Sequence, residues 1–224
     1  WAELDAVAVW EKVKRTIRQV TVMMATKASP DADPIRALSV SSLGEAMVAV
    51  TQDRHILGPS LLNFDVRGEA YLETLHQVLD DAGLYQINGN PLGNHYGLTK
   101  LLWLKEHRPA RYAQTYKFLL WSSFISFMLG AAPKVDYSLA NRTLLFDIER
   151  ETWSDELLEI TGLDRNKLPD PVPSGTVVGS VAAHIAEELG LPPDVAIVAG
   201  AHDQCANAVG CGVIQEGHAV YGMG

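Results

Sequence analysis

A continuous apolar run near the end of the chain limits the possible folds most strongly. Residues 195–199 are all apolar, which is typical of a strand buried on both faces of a sheet. The run leads through Gly200 to Asp203, so a carboxylate is predicted just beyond the carboxyl end of a buried strand, where α/β sheets bind their ligands. The alternative is a purely structural role, in which Asp203 only caps the helix that follows. Small residues from Cys205 to Gly210 predict that this helix packs close to the sheet.

Predicted strands alternate with predicted helices along the rest of the chain. Strands are predicted at 35–41 and 46–51, followed by an extended stretch at 57–64. The segment from about 84 to 133 is predicted to be a helical insertion, and a helix is predicted within it from Ala110 to about Leu119. This alternation indicates an α/β domain with a mixed sheet and a helical insertion.

Charge and cysteine usage exclude several classes of protein. The formal net charge is -9, and no basic face suits nucleic acid or an anionic membrane surface. The most apolar stretch, Phe118–Ala132, is shorter than the roughly 20 residues of a membrane span. The two cysteines, Cys205 and Cys211, lack metal-site spacing, so we interpret them as small, partly buried thiols in the reducing cytoplasm. His202 and Asp203 alone cannot supply the ligand set of a zinc site, so no metal site is predicted within the chain.

Several segments resemble the FGGY carbohydrate kinase family. Residues 198–210 are similar to its G-x-x-D-Q-x-x-A-x-x-G segment, and residues 136–147 are similar to its D-Y-S-x-A-S-R-T-x-L-F-x segment. Further matches follow the family order, and they cover nearly the whole chain. They lie at 1–10, 153–158, 168–169 and 174–179.

The resemblance implies a fold, a reaction and cofactors. It implies a ribonuclease H-like domain related to actin, in which residues 1–224 form an N-terminal sugar-binding domain that is incomplete at both ends. Family members use ATP and Mg²⁺ to phosphorylate a hydroxyl of a sugar or polyol in the cleft between two domains. The resemblance places the catalytic base at Asp203, and an ionised carboxylate can orient a hydroxyl and then accept its proton. A chain without the ATP domain is expected to be inactive alone.

The resemblance also names candidate substrate contacts. Glu45, Gln204 and His95 match positions that contact the sugar, and Asn63 replaces the tryptophan of a W-x-D-x-R segment. Each has a structural alternative: an exposed loop acid for Glu45, a helix cap for Gln204, and a surface histidine for His95. Asp65 and Arg67 of that same segment are interpreted mainly as structural partners.

The remaining matches concern the nucleotide and the identity of the sugar. Gly222 and Gly224 resemble the start of a phosphate-binding hairpin, so they are candidate ATP contacts. Gly44 stands where glycerol kinases carry an arginine, which argues against glycerol and favours a ketose such as xylulose or another pentulose. Two alternatives stay open, namely a non-catalytic sugar-binding relative and an actin-like ATPase that drives conformational change. A homodimer is possible by analogy with relatives.

Overall fold

The computed structural model of the chain describes residues 1–27 and 35–222. Within these ranges the α-helices are α1 (Ala6–Lys27), α2 (Ala70–Val78), α3 (Asp81–Asn88), α4 (Gly97–His107), α5 (Pro109–Gln114), α6 (Trp121–Leu129), α7 (Tyr137–Asn141), α8 (Asp155–Thr161), α9 (Ala183–Leu189) and α10 (Asp203–Gly210). The strands are β1 (Glu3–Leu4), β2 (Ala37–Ser42), β3 (Met47–Val50), β4 (Ser60–Leu61), β5 (Lys117–Leu120), β6 (Lys134–Asp136), β7 (Phe146–Asp147), β8 (Thr152–Trp153), β9 (Asp170–Val172), β10 (Val177–Ser180) and β11 (Ala196–His202). The predicted α/β class is confirmed.

A mixed sheet in the order β10–β11–β2 contains the predicted strand as β11. Buried residues alternate with partly exposed ones along β11, so the prediction that it is buried on both faces is wrong. Strand β11 pairs antiparallel with β10 and parallel with β2. Because β11 and β2 run in the same direction, their carboxyl ends meet at one edge, where Ser42 lies opposite His202. This edge is where an α/β sheet is expected to place a ligand.

The ribbon formed by β3 and β5 separates two hydrophobic cores. Met47 and Ala49 of β3 pack into one core, while Val48 and Val50 pack into the other. Side chains of a strand alternate between its two faces, so an entirely apolar β3 can serve both cores. Strand β5 follows the same rule. The β3–β5 ribbon is therefore buried on both faces.

Two predictions of secondary structure are wrong. The helix predicted from Ala110 to Leu119 ends at Gln114, and β5 begins at Lys117 and pairs antiparallel with β3. A short apolar run fits a buried helix or a buried strand equally well from periodicity alone, and here the partner strand decides. Of the extended stretch at 57–64, only Ser60–Leu61 is a strand, and it pairs with β1.

Strand β11 approaches its neighbour β2 closely at Gly200. A Cβ atom at Gly200 would lie 1.9 Å from the carbonyl oxygen of Val40, so only glycine permits β11 to approach β2 this closely. Small residues predict that α10 packs close to the sheet, but no residue of α10 is buried. Cys205 and Cys211 are accordingly exposed, which corrects their interpretation as partly buried thiols. Within the described ranges, every helix is too short or too polar to cross a bilayer.

Candidate functional site

Two carboxylates follow the neighbouring strands of the mixed sheet. Strand β2 ends at Ser42 and leads to Glu45, and β11 ends at His202 and leads directly to Asp203. Since Ser42 and His202 are paired in the parallel register, the two acids emerge at the same edge. The predicted pairing of a base candidate with a sugar-binding acid is therefore geometrically possible.

Glu45 occupies a strained turn. Its φ angle is 59°, and the amide of Ala46 donates to the carbonyl oxygen of Gly44 at 2.6 Å. A hydrogen bond that spans one residue with positive φ at its centre is a γ-turn, which is rare and strained for a residue with a side chain. Such conformations cost about 1–3 kcal/mol and concentrate at functional sites. The turn gives a structural reason to treat Glu45 as more than a surface acid, and its residue surface is only 7% exposed.

Arg142 fixes one oxygen of Glu45. Its Nε and Nη2 lie 2.7 Å and 2.5 Å from Oε1 of Glu45. The guanidinium also stacks over Tyr96, with its carbon 4.7 Å from the ring centroid, and Nη1 is 3.4 Å from Oδ1 of Asn90. Among the described residues, no hydrogen bond or ion pair reaches Oε2 of Glu45, so that oxygen can accept a substrate hydroxyl.

Arg142 is a site residue that the sequence reasoning did not single out. It lies within the segment that resembles the family, at the C-cap of α7. The available signal was a lone arginine placed between a short helix and the apolar residues Leu144 and Leu145. A charge there needs a partner to be retained near a core, but its partner, Glu45, is 97 residues away.

The end of β11 is anchored to α7. The amide of His202 donates to Oγ of Ser138 at 2.9 Å, and Ser138 in turn donates to Asp136. Asp136 caps α7 by accepting from the Leu139 amide at 3.0 Å. Burial raises the pKa of Asp136, although these hydrogen bonds oppose the rise. The anchor sets the starting point of Asp203, whose side chain is 48% exposed.

His95 lies beside the Glu45–Arg142 pair. Its imidazole packs against Tyr96 with ring centroids 3.9 Å apart. Although His95 is exposed by surface area, partial desolvation lowers its pKa, and the positive charge of Arg142 lowers it further. The imidazole is therefore neutral at pH 7, and a neutral imidazole can both donate and accept a hydrogen bond. That capacity suits contact with a sugar hydroxyl.

Asn63 sits apart from the acids, and a buried lysine links it to the loop of His95. Nζ of Lys100 donates to the carbonyl oxygen of Asn94, and it lies 3.1 Å from Oδ1 of Asn94 and 3.3 Å from the carbonyl oxygen of Asn63. Among the described residues, no hydrogen bond joins the side chain of Asn63 to Glu45. Asn63 therefore contributes its backbone to the site's framework, while its side-chain role stays a prediction.

Lys100 gives the first test of this framework. Burial lowers its pKa to about 8, although Asp65, Glu69 and Glu45 partly oppose this. Between pH 8 and its ordinary value of 10.5, the folded protein has released a proton that the unfolded chain still holds. We therefore expect the free energy of unfolding to rise with pH in this window, by up to about 1.4 kcal/mol per pH unit.

Lys100→Met should abolish that rise. Urea unfolding of the full-length protein, followed by tryptophan fluorescence between pH 7.5 and 10, measures it. The matched control is Lys105→Met on the same helix, which should keep the rise. Tyrosine and cysteine titrations are common to all three proteins and cancel in the differences. An equal slope in the wild type and in Lys100→Met would show that Lys100 is not the group responsible.

Asp65 and Arg67 are structural partners, as predicted. Nε of Arg67 donates to Oδ1 of Asp65 and Nη2 donates to Oδ2, both at 2.8 Å. The backbone amide of Arg67 also donates to Oδ1 of Asp65 at 2.9 Å, and the amide of Ala2 donates to Oδ2 at 2.5 Å. Oε1 of Glu3 lies 2.7 Å from Nη1 of Arg67. Burial alone would raise the pKa of Asp65, but these hydrogen bonds hold it well below its usual range. The pair ties the start of the chain to the segment after β4.

The remaining predicted contacts lie at the far side of Asp203. Gln204 is exposed, and a Cβ atom at Gly222 would lie 3.2 Å from its Oε1. Gly222 is also exposed and could approach a phosphate, while Gly224 lies outside the described residues. In residues 1–27 and 35–222, no three His, Cys, Asp or Glu side chains are arranged to hold a metal ion. Mg²⁺ uses few carboxylates and several phosphate oxygens, and Asp203 is an exposed carboxylate at this edge of the sheet.

Comparison with known proteins identifies the family of the chain. The chain is 29% identical over 212 residues to the xylulose kinase of Bacillus subtilis, covering 95% of this chain and 42% of the relative. It is 30% identical over 218 residues to the autoinducer-2 kinase of Yersinia enterocolitica, covering 96% of this chain and 40% of the relative. The crystal structure of xylulose kinase from Rhodospirillum rubrum shares the fold, with a TM-score of 0.86, 24% identity, and coverage of 97% of this chain and 44% of that one.

The chain spans about two-fifths of the length of these relatives. The names of these relatives give different substrates, so sequence similarity identifies a carbohydrate kinase family but does not identify the sugar. Residues 1–210 match the model of the N-terminal domain of the FGGY family of carbohydrate kinases. The chain belongs to the FGGY family of carbohydrate kinases and carries its N-terminal domain.

Proposed function

We propose that the protein containing this chain transfers the γ-phosphoryl group of ATP to a hydroxyl of a ketose or polyol, with a pentulose such as xylulose as the first candidate. The observation that carries the proposal is the position of Glu45 and Asp203 after neighbouring parallel strands. One acid is held by Arg142 and is suited to binding hydroxyls. The other is exposed at the sheet edge and is suited to accepting a proton.

Asp203 acts as the general base in this proposal. As the substrate oxygen forms its bond to the γ-phosphorus, the bond from that phosphorus to the β,γ-bridging oxygen breaks, and ADP leaves with the electron pair. The hydroxyl proton passes to a carboxylate oxygen of Asp203. ATP with Mg²⁺ supplies the phosphoryl group and neutralises charge when bound, while the protein contributes mainly positioning, as in other phosphoryl transfers.

The sugar is held by several groups with different hydrogen-bonding capacities. Oε2 of Glu45 accepts, neutral His95 donates or accepts, and Gln204 can do both. Asn63, in place of the tryptophan of the family segment, leaves more room for the sugar than that ring would. Position 44 is glycine, whereas glycerol kinases carry an arginine there. This difference favours substrates longer than glycerol. A cytoplasmic location and a homodimer stay predictions.

A substrate panel tests the proposal. The full-length protein is given ATP, Mg²⁺ and one of several ketoses, aldoses or polyols, and ADP release and sugar phosphate are measured together. We expect ADP release that depends on a ketose and equals the sugar phosphate formed. Sugar binding without turnover would favour the non-catalytic relative, and ADP release without any sugar would favour an actin-like ATPase.

A further inference from the structure

His202 is held on two sides at the mouth of the site. Its backbone amide is bound by Ser138, as described above, and Nε2 of its ring lies 3.1 Å from Oδ1 of Asp203. The side chain of His202 is only 14% exposed, against 48% for Asp203. A largely buried imidazole thus lies against one oxygen of a largely open carboxylate. Among the described residues, no hydrogen bond or ion pair reaches the other oxygen, Oδ2.

Gly44 provides the space for this imidazole. A Cβ atom at position 44 would lie 3.0 Å from Nε2 and 3.1 Å from Cδ2 of His202, and 3.0 Å from Cγ of Arg142. Contacts this short require a neighbour to move. The His202 ring therefore packs directly against the backbone of Gly44, and the Arg142 side chain packs against the same glycine. A methyl group at position 44 would require the His202 ring or the Arg142 side chain to shift by a few tenths of an ångström.

We propose that His202 is a positioning residue for the base, and that the missing side chain at Gly44 is what admits it. With a proton on Nε2, the imidazole attracts Oδ1 of Asp203, which lies 3.1 Å away, and leaves Oδ2 as the oxygen that meets the substrate hydroxyl. The inference rests on the proposed function, because it assigns His202 a role in the step that Asp203 performs.

The physical need for such a group follows from the exposure of Asp203. A carboxylate that is half-exposed at the first position of a helix can adopt several rotamers, and ordering a side chain costs free energy. A misplacement of about 1 Å in a catalytic geometry can cost about a hundredfold in rate. A neighbour that fixes one oxygen removes most of that freedom before substrate arrives. The expected effect is therefore on kcat more than on KM for the sugar.

The test uses variants of the full-length protein in the sugar-dependent assay. His202→Ala should lower kcat about 10- to 100-fold, with KM for the sugar changed by much less. His202→Gln should recover most of the loss, because its amide nitrogen can reach the place of Nε2. Gly44→Ala should lower kcat as well, and adding Gly44→Ala to His202→Ala should cost little more. The exposed His184 of α9 provides the control, since His184→Ala should leave both constants unchanged.

The outcomes separate this inference from the proposed function. If Asp203→Asn keeps normal turnover, the base assignment fails and the role of His202 fails with it. If Asp203→Asn is inactive while His202→Ala and Gly44→Ala keep normal kcat, only the role of His202 is wrong. Should His202→Ala not fold, as judged by circular dichroism, His202→Gln and Gly44→Ala decide. A purely structural histidine would lower stability without rescue of kcat by glutamine.

Discussion

Asp203→Asn is expected to lower kcat for sugar phosphorylation by about 10²- to 10⁴-fold, the range typical of losing a general base. Asparagine keeps the shape of the side chain but cannot accept a proton from the attacking hydroxyl. Because the side chain is half-exposed and makes its described contact with His202 alone, the fold should tolerate the change. Steady-state kinetics of the full-length protein, with ADP release as the readout, measure the effect.

Asp194→Asn is the matched control for that variant. Asp194 is exposed in the turn before β11, with φ 61°, and asparagine tolerates this left-handed conformation as well as aspartate does. The same chemical change there should leave kcat and KM unchanged. Normal turnover by Asp203→Asn would remove the base from the mechanism. A KM that rises while kcat stays constant would assign Asp203 to binding instead of catalysis.

The edge of the sheet that bears the acids could be predicted from local patterns. The apolar run before Gly200 is long enough to indicate a buried strand, and an acid after such a strand points to a ligand site. Glu45 was found only through the family resemblance, because an acid in a loop has no local signature. The γ-turn at Glu45 is visible in the structure but not in the residue types.

The contacts that complete the site are non-local, and sequence patterns do not reveal them. Arg142 meets Glu45 across 97 residues, and His202 meets Gly44 across the sheet. The reason for a glycine at position 44 becomes clear only in the structure, where the His202 ring lies in the space that a side chain would occupy. Likewise, the apolar residues of β5 suit a helix or a strand equally well, and only the pairing with β3 distinguishes the two.

Helix α10 shows the limit of reading packing from residue size. Small residues predicted close contact with the sheet, yet no residue of α10 is buried in the described chain. Small side chains permit close approach but provide little apolar area to drive it. Val209 and Ile214, at and after the helix, are 62% and 73% exposed. Burial depends on the whole surface that meets a helix, and local composition does not determine it.

Asp65→Asn is expected to destabilise the full-length protein by about 3–5 kcal/mol at pH 7, the usual cost of removing one partner of a buried ion pair. The side chain of Arg67 is 4% exposed and that of Asp65 is fully buried, and the guanidinium lies between Trp1 and Trp103. The variant leaves this charge with Glu3 as its ionised partner. Urea unfolding, followed by the fluorescence of those tryptophans, measures the loss.

The pH dependence of that loss identifies its origin. The pKa of Asp65 is lowered in the folded protein, so its stabilisation is fully present above the ordinary value of about 3.9. It is lost as the pH falls through the lower folded value. The difference between the wild type and Asp65→Asn should therefore stay constant from pH 7 to about pH 5 and shrink as the pH falls below about 3.9. Asp170→Asn breaks the exposed pair with Lys134 and should cost less than about 1 kcal/mol. If Asp65→Asn and Asp170→Asn lower the free energy of unfolding by the same small amount, the buried pair does not anchor the start of the chain. Only a desolvated Arg67 would make the loss of Asp65 strongly destabilising.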